Sequence, residues 1–169
     1  NSSTEIDLSS PTMVYASEYI YTATFDATTT PKKIRINKLN TELENMWAQT
    51  GVALTPENDQ RNVFLVDLGG VGVGCFWSES RSFLSGFDIF FQSLNPDGDP
   101  QLSSGGITVA ESNGDDYIQA VIPAPDGISF LIFWVEEVWP ASRLKYNRVE
   151  VIGQVSTGWP PSGFNLSNQ

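Results

Sequence analysis

Short alternating segments separated by turn chemistry run along almost the whole chain, and that period-two pattern points to an all-β fold. Tyr19, Tyr21, Ala23 and Phe25 alternate with Ile20, Thr22 and Thr24, a β-branched and aromatic strand that ends at the polar loop Thr28 to Pro31. Shorter or longer segments of the same kind follow at Lys33–Asn37, Val63–Leu68, Val71–Trp77, Phe83–Phe91, Ile107–Ala110, Tyr117–Ile122, Ile128–Val138 and Tyr146–Val155. Between them stand Asn95-Pro96-Asp97-Gly98, Asn113-Gly114-Asp115 and Pro125-Asp126-Gly127, residues that tolerate the tight dihedrals of a chain reversal. The expectation is a β-sandwich or jelly roll of about eight to nine strands. No repeat at a solenoid or propeller period interrupts it.

One stretch departs from the pattern. Leu39, Leu43, Met46 and Trp47 recur at helical spacing, Asn40 can cap, Glu42 and Glu44 suit a helix start, and Gly51 can close it. A short helix near residues 40–50 is therefore expected, with Trp47 as a packing anchor. The organisation read from composition is a polar N-terminal arm over 1–12, a β-sandwich domain over 13–156, and a Pro/Gly-rich arm over 157–169. The start at Asn1 reads as a processed mature form, an excised domain or a renumbered segment.

Composition narrows the chemistry. The 169 residues include no histidine and one cysteine, which removes Ser-His-Asp and Cys-His catalysis, an intrachain disulfide and a thiolate zinc cluster. A net charge of -11 repels phosphate backbones, so no nucleic-acid partner is expected. No apolar run approaches the roughly 20 residues of a membrane helix, and no membrane insertion is expected.

Four groups of residues invite a functional reading. The run Gly69-Gly70-Val71-Gly72-Val73-Gly74 is followed by strand, not by the helix a phosphate loop needs, and reads as a bulge or close backbone approach. Asp97 and Asp99, with Asp115 and Asp116 from a second turn, are candidates for a weak Ca2+ site assembled from loop tips, although Pro100 and Gly106 stand where an EF-hand needs Gly and Glu. No other cofactor is expected. Glu136 and Glu137 point to opposite faces of one strand, so a glycosidase would need a partner acid from elsewhere, with Asp67, Glu79, Asp88 and Glu150 as the candidates. Cys75, among Val73, Phe76 and Trp77, reads as a small core hydrophobe.

Aromatic and basic residues supply the contact candidates. Trp159 sits in Thr157-Gly158-Trp159-Pro160-Pro161, where a stiff tail can fold back or dock into a neighbour; Trp77, Trp134 and Trp139 are further candidates for stacking on sugar rings, although most aromatics of Phe130–Trp139 are expected in the core. Lys32, Lys33, Arg35 and Lys38 form one basic island, and Arg143, Lys145 and Arg148 form another. Between Leu39 and Ser142 fifteen acids face only Arg61 and Arg81, a local charge of -13. Segregated charge of this kind suits self-association or a complementary partner.

The leading expectation is thus a non-enzymatic structural or interaction subunit of a larger extracellular or virion assembly, such as a decoration or surface-layer protein, contacting other subunits or itself through Trp159, Lys32, Lys33, Arg35, Arg143 and Lys145. A secreted carbohydrate-binding module is the alternative, and a carboxylate-based glycosidase the second alternative.

Overall fold

A computed structural model describes residues 12–26, 30–47, 51–54, 58–82, 86–150, 154–155, 159–160 and 162–166. Asn1 to Pro11, most of the expected N-terminal arm, and Phe83 lie outside the described residues. The rest is all-β, with thirteen strands in three antiparallel sheets. The first sheet runs in the order β1 (Thr12–Ala16), β2 (Tyr19–Asp26), β3 (Lys33–Leu39), β4 (Val52–Ala53). The second is β5 (Asp59–Asp67), β6 (Val73–Ser82), β7 (Gly86–Leu94), β8 (Ile107–Ala110). The third orders β9 (Asp115–Pro123), β10 (Ser129–Val138), β11 (Ala141–Glu150) and β12 (Gln154–Val155), with β13 (Phe164–Asn165) also pairing β11. The expected strands correspond to β2, β3 and β5 to β11. The four others are β1 and three two-residue pairings too short to leave a periodic signal.

Neighbouring strands follow one another in sequence except where β13 returns to pair β11, and the stacked antiparallel sheets are those of a β-sandwich. The second sheet is the central layer. From it Val73, Cys75, Trp77 and Phe90 pack on Tyr21, Ala23, Ile34 and Ile36 of the first sheet. Phe76, Ile89 and Phe91 leave its other face to meet Ile118, Phe130, Ile132, Trp134 and Val149 of the third. Phe87 to Leu94 are accordingly buried without a break, whereas β3 and β11 keep the alternation of sheets with one wet face. Cys75 is a free, buried core residue whose thiol pKa burial raises.

The expected helix does not form over the described residues 40–47, and residues 48–50 lie outside them. Residues 40–47 make a tight reversal in which Asn40 Oδ1 accepts the Glu44 amide at 2.8 Å and Asn45 bridges back to Leu39. Leu43 takes a left-handed φ of 64° and lies exposed with Met46. The asparagine side chain has captured the backbone donor that a helix would have used. Trp47 keeps its anchoring role, its indole N–H donating to the Pro96 carbonyl at 3.0 Å and its ring edge-on to Tyr21 at 5.6 Å. In the glycine run, Gly72 has φ 134° and passes so close to the Leu94 backbone that a Cβ would collide with it. That is the close approach expected from the sequence.

Candidate functional site

A one-residue bulge creates the site. Pairing of β9 with β10 runs from Phe130 opposite Pro123 to Phe133 opposite Ala120, then shifts so that Trp134 faces Ile118 and Glu136 faces Asp116. Without the shift, Glu136 would face Tyr117. The slip therefore sets two carboxylates side by side on the face turned toward the central sheet. Asp116 is fully buried and Glu136 is 4% exposed, while Glu137 points to solvent.

The polar partners of this pair are incomplete. Asp116 Oδ1 accepts the Trp134 indole N–H at 3.1 Å, and Glu136 Oε1 accepts the buried Lys145 ammonium at 2.8 Å. Asp116 Oδ2 and Glu136 Oε2 are buried with no hydrogen-bond partner. Arg143 Nη1 stands 3.6 Å from Glu136 Oε2, within an ion pair but beyond a hydrogen bond, and its side chain is half exposed. Burial first and the Glu136 charge second push the Asp116 carboxyl up to about 7, with Ser112 and Lys145 pulling the other way.

Glu136 opens onto a cleft of about 590 Å³ lined by Glu111, Ser112, Asn113, Val138, Arg143 and Ser162. The 111–114 loop forms one wall, the β10–β11 hairpin another. Ser162 arrives because Gly163, at φ 66°, lets the C-terminal segment cross directly over the Trp134 ring, where a Cβ would clash. The next residue after the cleft-lining Val138 is Trp139, on the two-residue tip that joins Val138 to its cross-strand partner Ala141. Its side chain is 94% exposed.

The residues singled out from sequence are distributed differently. Trp159 folds back, half-buried and edge-on to Tyr146 at 5.6 Å and Phe164 at 5.4 Å. Arg35 pairs with Asp26 at 3.2 Å, Lys33 starts β3 opposite Asp26, and Lys32 is exposed in the preceding loop with its amide on Asp59. Lys38 is buried, donating to the Pro96 carbonyl at 2.9 Å over the Tyr19 ring. Of the six contact candidates, Arg143 and Lys145 are the two that pair with Glu136.

The four acids of the expected Ca2+ site do not converge. Asp97 and Asp99 belong to a turn organised by Asn95, whose Oδ1 accepts both amides, at 3.0 and 2.9 Å. Asp115 and Asp116 are neighbours on one strand and separate: Asp115 accepts the Phe87 amide and the Tyr117 hydroxyl, while Asp116 turns inward to Trp134. Among the described residues no three acidic or thiolate side chains form a metal-ligand group.

Sequence reasoning missed the Asp116–Glu136 pair and the exposure of Trp139. Counting outward from the Pro125-Asp126-Gly127 turn puts Glu136 opposite Tyr117, and nothing in the sequence announces the bulge that moves it by one. Fold and site together define a three-layer all-β domain with a polar cleft beside an exposed tryptophan. Compared with known proteins, the chain matches no family model, no curated sequence and no solved structure.

Proposed function

We propose that the chain is a non-catalytic binding module for a hydroxyl-rich ligand, a glycan, held at the cleft with the Trp139 ring as its stacking platform. The observation that carries this reading is the exposure of Trp139 next to cleft-lining Val138. Burying a large apolar side chain is worth on the order of 3 kcal/mol, and leaving one in water at a hairpin tip forgoes it. An indole offers a sugar ring its apolar face, while carboxylate, amide, hydroxyl and guanidinium groups from Glu136, Asn113, Ser112 and Arg143 suit the hydroxyls. Such a module fits an extracellular or virion setting.

Asp116 weighs against the hydrolase alternative. It is fully buried and does not line the cleft, so Asp116 and Glu136 do not flank a bound glycosidic bond as glycoside hydrolysis requires; Glu111 is the other carboxylate at the cleft wall.

Screening the protein against a polysaccharide panel by affinity electrophoresis tests the reading. Retention on at least one glycan is expected, weakened about tenfold or more by Trp139→Ala at unchanged melting temperature. Retention on none, or retention indifferent to the substitution, removes it.

A subunit role is the second reading, favoured by Met13 and Tyr15, which stand 66% and 64% exposed on the edge strand β1. Sedimentation at moderate salt decides it: a specific multimer dispersed by Met13→Glu supports assembly, and a monomer ends it.

A further inference from the structure

We propose that Asp116 and Glu136 share one proton, and that this proton sets whether the Arg143 guanidinium faces the cleft or is drawn onto Glu136. The argument starts from the two orphaned oxygens. Asp116 Oδ2 and Glu136 Oε2 are both buried acceptors without a donor, and they belong to directly opposed residues on one sheet face. Two unsatisfied acceptors at one place are costly as two anions, but a single proton resolves both: Asp116 Oδ2–H donates and Glu136 Oε2 accepts. The indole N–H on Oδ1 fixes the Asp116 carboxyl, leaving Oδ2 as the protonated oxygen.

The surrounding charges agree. Around the pair lie Lys145 from β11, Asp88 from β7, Ser112 from the 111–114 loop and Arg143 at the cleft, with Glu111 acting on Asp88. Lys145 is the buried cation of the group and balances one negative charge. A pair holding one proton carries one negative charge; a pair holding none carries two.

When the proton leaves, the Asp116 O–H bond breaks, its electron pair stays on Oδ2, and the proton passes to solvent. Glu136 Oε2 then has no donor except Arg143, 3.6 Å away and half exposed. The guanidinium closes that gap and withdraws from the cleft. Below neutrality Arg143 is available to a ligand; above it, the arginine is engaged on Glu136. The effect on binding rests on the cleft being the ligand site, whereas the proton and the arginine movement are read without any ligand.

The test is a ligand-free NMR titration of the folded protein between about pH 5 and 9, following the Trp134 indole N–H and the Arg143 Nε–H resonances. Both are expected to move in one common step near neutrality. Asp116→Asn, whose amide supplies a permanent donor, should abolish both steps with Arg143 held at its low-pH position. Glu136→Gln should shift the indole step to lower pH and leave Arg143 without one, which keeps a test in hand if Asp116→Asn fails to fold. No step in wild type, or a step that survives Asp116→Asn, overturns the shared proton. An indole step with Arg143 unmoved overturns the arginine switch. Failure of every glycan to bind would leave these titrations as they are, so the two readings fail separately.

Discussion

Glu79 and Asp116 are both carboxylates with no exposed surface, and their partners give them opposite roles. Glu79 Oε1 accepts Asn58 at 2.8 Å and Arg81 at 2.8 Å; Oε2 accepts Gln60 at 3.0 Å and the Trp77 indole at 2.7 Å. It ties the β5 end, β6 and, through Arg81 over the Phe90 ring, β7. Glu79→Leu would leave those donors unpaired, and a loss of about 3–5 kcal/mol is expected in urea unfolding. Asp116 is buried beside a neighbouring anion, and Ser112 and Lys145 offset this only in part, so its carboxyl is pushed up to about 7. Its folded pKa lies above the unfolded value of about 3.9, so the native state holds a proton the unfolded chain has released. The stabilisation from this group is full below about pH 4 and disappears as pH rises toward about 7, on the order of 4 kcal/mol over that window. Asp116→Asn, neutral throughout, is expected to flatten this dependence and to melt above wild type at pH 8. Equal slopes of melting temperature against pH in the two proteins would contradict it.

At the scale of elements, the 40–47 reversal shows how a local rule can mislead. Apolar spacing at Leu39, Leu43, Met46 and Trp47 imitates one helical face, but two of the four are exposed and a single turn pays a nucleation cost that nothing buried repays. Leu43 at φ 64° carries the strain of a left-handed conformation, and its side chain makes up for little because it faces water. Leu43→Gly is therefore expected to stabilise the fold by up to about 1 kcal/mol, read as a raised urea midpoint. Strand identity was legible for β2, β3 and β5 to β11, because alternation and turn residues report local geometry. Register was not: no turn residue or break in alternation marks the slip between Phe133 and Trp134, and only that slip brings Asp116 opposite Glu136. Trp139 was harder to place than Trp159 for a related reason. Pro and Gly around Trp159 mark irregular backbone, which can still fold onto Tyr146, whereas strand-like neighbours around Trp139 conceal a two-residue hairpin tip.

On the scale of the whole molecule, each sheet is drawn from one continuous part of the chain, which would suit independent units; the packing argues otherwise. Among the described residues each outer sheet has its buried apolar face against the central one and no second core of its own. The central sheet in turn is buried on both sides, and β7 would expose Phe91 on losing one neighbour and Phe90 on losing the other. A sheet with one unpaired apolar face does not stand alone in water, so unfolding is expected to be a single transition. Trp77→Ala, on the face toward the first sheet, and Phe76→Ala, on the face toward the third, should each lower one shared midpoint, at a cost of about 3–5 kcal/mol. Hydrogen exchange in rising urea should show β2 and β10 amides opening together at the global free energy. If β2 amides open at much lower denaturant while β10 stays protected, the first sheet is a separable unit and the central layer does not couple the two cores.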